Sequence, residues 1–169
     1  MLIDTLLFQK INGLAGKKPV LDELAVFFAS YLAYPLTILE LIILWQNKTN
    51  SRFVYQTIGA AILARLIIAE VLHCFFPRQR PCAEGRAKSL INCPESKSFP
   101  SGHATFYFSV AVSIFLFNQP IGLLLLAATI LIAFFRIFVG VHWPSDILAG
   151  AVIGISSNWI IFLLSKTFF

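Results

Sequence analysis

The stretch Ile121–Val141, "IGLLLLAATILIAFFRIFVGV", decides the fold. It carries a single charge, Arg136, and is long enough to cross a hydrocarbon core of about 30 Å as a helix. An arginine inside such a span is costly and usually faces a bundle interior or a watery cavity. Arg136 therefore calls for an anionic partner or ligand. Working outward, four further apolar blocks run Val20–Trp45, Phe53–Phe76, Gly102–Phe117 and Ile147–Leu164. Of the 169 residues 58% are hydrophobic and 12% charged, against about 25% charged in a soluble domain. The pattern predicts an all-α polytopic transmembrane bundle of five spans, folded as a single integral membrane domain over residues 1–169. The first block carries Pro35 mid-run, and a break there would make six segments. The third is short for a bilayer, so its ends are expected to reach into polar loops.

Ahead of the spans, "MLIDTLLFQKINGLAGKK" sets Leu2, Ile3, Leu6, Leu7, Ile11 and Leu14 near one helical stripe. It lacks the basic start and small-residue cleavage site of a signal peptide, and a short helix lying in the membrane interface is expected. The net charge of +5 is too diffuse for nucleic acid and suits anionic lipid head groups. Three histidines and three cysteines lack close metal-ligand spacing, so neither metal nor cofactor is expected.

Polar residues gather in two places. The loop Pro77–His103 holds Arg78, Arg80, Arg86, Lys88 and Lys97, and the segment from Arg136 to Asp146 marks a second break. With five spans both emerge on one side of the membrane. In "SFPSGHATFYFSV", Ser101, Gly102 and His103 stand at the start of a helix, where unsatisfied amides and the dipole favour an anion. Gly102 permits close backbone approach, Ser101 adds a hydroxyl, and Pro100 sets the entry to the helix. An N-cap serine, a turn glycine and an interfacial histidine explain the same residues without chemistry. His142 and Asp146 are four apart, one helical turn, so the carboxylate can orient the imidazole and leave its other nitrogen as nucleophile or base. Taken alone, the pair also reads as a capping aspartate beside an interfacial histidine. Elsewhere, Arg65 is expected to snorkel or pair inside the bundle, and Glu70 to pair with a neighbouring span or His73. Gly150 and Gly154 read as a helix-packing face, and Trp45, Trp143 and Trp159 as interface anchors.

Together these residues resemble the type 2 phosphatidic acid phosphatase superfamily of membrane lipid phosphatases. Its first motif, lysine, six residues, arginine-proline, is matched by "HCFFPRQRP", ending at Arg80-Pro81; its second, PSGH, is complete at Pro100–His103. The third is matched by "FRIFVGVHWPSD", which places Arg136, His142 and Asp146 at the family spacing. The resemblance covers a core region of residues 53–164. Two positions depart from it: His73 stands for the motif lysine and Phe135 for the motif serine. Arg78 or His73 would supply the missing cation, Arg78 being favoured for its permanent charge.

The resemblance implies a metal-independent phosphatase of a membrane lipid phosphate or diphosphate. His142 would form a phosphohistidine, Asp146 would hold its ring, and His103 would act as acid and then base. Arg80, Arg136, Ser101 and Gly102 would bind the phosphoryl oxygens. Undecaprenyl diphosphate is the expected substrate, in cell wall biogenesis, with phosphatidic acid or phosphatidylglycerophosphate as the alternative. A small anion transporter or channel is the non-enzyme alternative. The family's outward-facing site implies an extracytoplasmic active site in a bacterial plasma membrane, against a loop charge count of eight Lys/Arg on the motif side and three on the other. On that face Cys82 and Cys93 would lie in an oxidising compartment, where a disulfide closing their loop would stabilise it by about 3 kcal/mol.

Overall fold

The computed structural model describes residues 2–168, with side chains to residue 165. Helix α1 (Leu2–Asn12) precedes α2 (Pro19–Gln46), α3 (Ser51–Phe75), α4 (Gly102–Phe117), α5 (Gln119–Phe138) and α6 (Pro144–Phe168). The described residues are helical or loop, with no strand. Helices α2, α3, α5 and α6 are long and apolar enough to cross a membrane, and α4 is a shorter apolar helix. The chain is an integral membrane protein.

Pro35 does not break the first span. A π turn at Phe27–Tyr31 lies just upstream, with Leu32 donating to the carbonyl of Phe27, and the helix continues past the proline. A proline cannot donate to the carbonyl four residues back and crowds it; widening the preceding turn relieves that crowding. The run from Pro19 to Gln46 is one continuous helix. A second π turn, Ile62–Ile68, interrupts α3 around Arg65.

Helix α4 is the core, packed against α3, α5 and α6. It approaches α6 closely because Gly150 and Gly154 face its backbone. A Cβ at Gly150 would lie 2.9 Å from the Ser101 carbonyl oxygen, and one at Gly154 would lie 2.7 Å from that of Thr105. Asn118 both ends α4 and caps α5, its side chain accepting from the amide of Ile121. The two helices thus share one end. With 16 residues against 20, α4 starts about 6 Å deeper than α5 stops, at 1.5 Å per residue. That offset sinks the start of α4 below the rim of the bundle.

Loop 77–101 roofs the recess. Cys82 and Cys93 are joined by a disulfide. Asn12 of α1 brackets Lys88, accepting from its amide at 2.9 Å and donating to its carbonyl at 3.0 Å, while also donating to the carbonyl of Phe138. Gly140 takes a left-handed φ of 88°, which turns the chain off α5 toward His142. Helix α1 leaves Leu2, Ile3, Leu6 and Leu7 exposed and buries Phe8 against Trp143. Trp143 itself is 2% exposed, its ring tilted at 54° against Phe8 and its indole N–H on the carbonyl of Gln79. It is a core residue rather than the expected interface anchor, because α1 folds over it. Trp45 and Trp159 remain exposed.

Candidate active site

The recess is a cavity of about 490 Å³, and its wall includes Arg65, Arg80, Gly102, His103, Arg136 and His142. His142 and Asp146 arrive through the start of α6. Pro144 occupies the first helical position, and Asp146 accepts from the amide of Trp143 at 2.8 Å, closing the first turn. The capping role and the proximity to His142 are therefore two functions of one carboxylate. Asp146 Oδ2 also accepts from the Ser98 hydroxyl at 2.5 Å, and Oδ1 from Arg78 Nη1 at 3.0 Å. Its Oδ2 lies 3.5 Å from His142 Nδ1.

The other ring nitrogen of His142 meets Arg80 Nη1 at 2.9 Å. A guanidinium only donates, so Nε2 is an unprotonated acceptor and the proton of the neutral ring sits on Nδ1, toward Asp146. Burial, with the charges of Arg136 and Arg80 nearby, holds His142 well below the ordinary imidazole pKa. At neutral pH this is an uncharged imidazole with its lone pair on the cavity side, able to attack an electrophile.

Arg80 uses its whole fork. Nε donates to the carbonyl of Ser96, Nη1 to that of Val141 as well as to His142, and Nη2 to Ser96 Oγ and to the carbonyl of Lys97. It clamps the loop to the turn before α6. Arg136 is 6% exposed; Nη1 donates to the carbonyl of Ala29, inside the first π turn, at 3.1 Å and lies 3.5 Å from His103 Nε2. Its Nε is buried without a partner.

Of the residues singled out in the sequence, Arg80, Gly102, His103, Arg136, His142 and His73 share the cavity, with Asp146 behind His142. His73 Nε2 lies 3.1 Å from the carbonyl of Pro100. Two do not join them. The Ser101 hydroxyl is buried without a partner and its amide donates to the Asp146 carbonyl, because α6 packs tightly over this turn. Arg78, expected to replace the motif lysine on the phosphate, points away from the cavity. It binds Asp4 Oδ2 at 2.5 Å, Ser145 Oγ at 2.6 Å and Asp146 Oδ1, with its guanidinium over the Trp143 ring.

Asp4 went unnoticed in the sequence, and Arg65 was read only as a snorkelling or pairing residue. Asp4 accepts from the Ser145 amide and hydroxyl as well as from Arg78. Burial alone would raise its pKa, but the hydrogen bonds from Arg78 and Ser145 outweigh it and hold Asp4 below the usual carboxylate range. Arg65 reaches the cavity wall, paired with Glu70; the only sequence signal was an arginine at membrane depth. Among the described residues, no three His, Cys, Asp or Glu side chains are grouped as a metal ion would need.

The chain is similar to several known proteins. The chain is 32% identical over 158 residues to the bacitracin transport permease protein BcrC of Bacillus licheniformis, covering 92% of this chain and 77% of that protein. It is 29% identical to the undecaprenyl-diphosphatase BcrC of Bacillus subtilis (strain 168), covering 94% and 82%. The crystal structure of Aquifex aeolicus LpxE matches with a TM-score of 0.75 at 30% identity over 92% of each chain. Residues 55–169 match the PAP2 superfamily, to which this chain belongs.

Proposed function

We propose that the protein is a lipid phosphatase that hydrolyses undecaprenyl diphosphate to the monophosphate through a phosphohistidine. The observation that carries this is the neutral His142, its Nε2 lone pair on the cavity side and its Nδ1 toward Asp146. Nε2 attacks the terminal phosphorus, and the Arg80 N–H that rested on Nε2 passes to a phosphoryl oxygen. Arg136 and the start of α4 at Gly102 meet the remaining charge. Asp146 steadies the imidazolium that forms. His103 protonates the departing oxygen, then activates the water that releases phosphate. These residues supply the positive charge and the proton transfers without a metal ion.

The relatives named as undecaprenyl-diphosphatases support the substrate. The disulfide on the roofing loop supports an extracytoplasmic site, since such bonds persist in oxidising compartments. Of the eight cations on this side, Arg78 and Arg80 are bound to site residues, which weakens a topology read from charge alone. A transporter reading draws on the name of the Bacillus licheniformis relative, a bacitracin transport permease protein. The cationic groups gather at one recess, however, and among the described buried residues Glu40 is the lone charged type deeper in the bundle.

Phosphate release by purified protein, comparing undecaprenyl diphosphate with phosphatidic acid in one detergent, tests the proposal. Preference for the diphosphate and loss of turnover in His142→Ala are expected. Activity retained in His142→Ala would remove the mechanism, and a preference for phosphatidic acid would replace the substrate.

A further inference from the structure

Arg65 belongs to none of the three motifs, yet it stands on the cavity wall. A Cβ on Gly102 would lie 2.8 Å from its Nε and 3.2 Å from its Cζ, so the glycine makes room for the guanidinium against the first residue of α4. The π turn Ile62–Ile68 presents it there. The cavity's three arginines differ in what they already hold. Arg80 has all its N–H groups on protein acceptors, and Arg136 is buried and holds the Ala29 carbonyl. Arg65 is 34% exposed, and its hydrogen-bond partner is Glu70, 52% exposed. A carboxylate that open to water is readily exchanged for a more highly charged anion.

We infer that Arg65 binds the second phosphoryl group of a diphosphate, the one that stays on the lipid, and so makes the site selective for diphosphates over monophosphates. The inference rests on the phosphohistidine reading. When His142 Nε2 bonds to the terminal phosphorus, the bond from that phosphorus to the bridging oxygen breaks. Its electron pair goes to the bridging oxygen, which departs as part of the lipid monophosphate. Negative charge therefore grows on the lipid-linked phosphoryl group in the transition state. A guanidinium beside Gly102 and His103, the acid on the leaving side, stabilises that charge more than it stabilises bound substrate. A monophosphate ester sheds an alkoxide instead, which takes its proton from His103 and offers Arg65 no second phosphoryl group. Glu70 holds the guanidinium in place while the cavity is empty and yields it to substrate.

The test measures phosphate release from farnesyl diphosphate and farnesyl monophosphate by the full-length wild-type protein and by R65Q, R65K, E70Q and H142A. R65Q is expected to lower kcat/KM for the diphosphate about thirtyfold, chiefly in kcat, and for the monophosphate about threefold or less, since a hydrogen bond to a charged group contributes about 1.5–3 kcal/mol. R65K recovers part of the diphosphate rate. E70Q, at an exposed position, raises the preference for the diphosphate. Equal losses on both substrates in R65Q, or an unchanged or lower preference in E70Q, overturn the inference. H142A separates the two claims: if it still turns over, the phosphohistidine reading falls, whatever Arg65 does.

Discussion

Two arginines on one cavity hold their places by opposite means. Arg80 places all its N–H groups on the roofing loop, the turn before α6 and His142, and Asp146 behind that histidine accepts from Ser98, Trp143 and Arg78. Arg65 holds Glu70, a neighbour on its own helix, at a half-open edge. The difference teaches where the molecule is rigid and where it adapts. His142, the proposed nucleophile, is held through its Nε2 contact with Arg80 before substrate arrives, and a ring placed in advance needs less reorganisation in the chemical step. The half-open Arg65–Glu70 pair is the place where, on the inference above, one anion is exchanged for another.

The comparison breaks first at Asp146. Asp146→Asn leaves a side chain of the same shape but removes the negative charge that stabilises the imidazolium, and the amide can turn an N–H toward Nδ1. A fall in kcat of about a hundredfold is expected, milder than His142→Ala. Steady-state kinetics on the diphosphate measures it. A loss under threefold would mean that the 3.5 Å approach of Nδ1 to Oδ2 does not tighten in the working enzyme.

Arg78 sharpens the same contrast. Its guanidinium braces Asp146 and Asp4 outside the cavity, so Arg78→Ala should lower kcat about tenfold with little change in KM. His73→Ala, on the cavity wall beside the Pro100 carbonyl, should act mainly on KM. The reverse split would return Arg78 to the phosphate.

The smallest effect is a pH dependence. His142 is held neutral below its ordinary pKa, so the unfolded chain binds a proton that the folded site refuses. Stability from this group is fully present above the unfolded imidazole value of about 6.5 and declines as pH falls below it. Thermal unfolding in detergent between pH 7.5 and 5 should show a falling midpoint, with the imidazole NMR signal of His142 remaining that of a neutral Nδ1–H ring. A titration of that signal near 6.5 would contradict the buried, arginine-flanked site.

The apolar helices and the gathering of Arg80, Gly102, His103, Arg136 and His142 at one cavity were legible in the sequence, four of the helices being long enough to cross a membrane. Apolar block length reports bilayer crossing directly, and motif spacing at helix starts reports which groups share a face. What escaped depends on packing between distant segments. Asp4 reaches Ser145 across 141 residues, and Asn12 reaches Phe138 across 126; neither leaves a local pattern. Trp143 looked like an interface anchor because composition cannot show that α1 covers it. Arg78 looked like the missing phosphate cation because its charge is permanent, whereas the extended loop turns Arg78 and Arg80 to different partners. The π turns were not visible either, although Pro35 marked where one would ease a helix.

The central claim is that His142 takes the phosphoryl group on Nε2. Its most direct test is to mix the His103→Ala protein with undecaprenyl diphosphate carrying radioactive terminal phosphate, quench in alkali and map the labelled peptide. The leaving lipid phosphate needs little help from an acid, while release of the phosphoryl group needs His103 as base, so the intermediate should accumulate. Alkali-stable, acid-labile label is expected on the peptide containing His142, lost in the His103→Ala/His142→Ala double variant. Label on any other residue, or label that persists in the double variant, would contradict it.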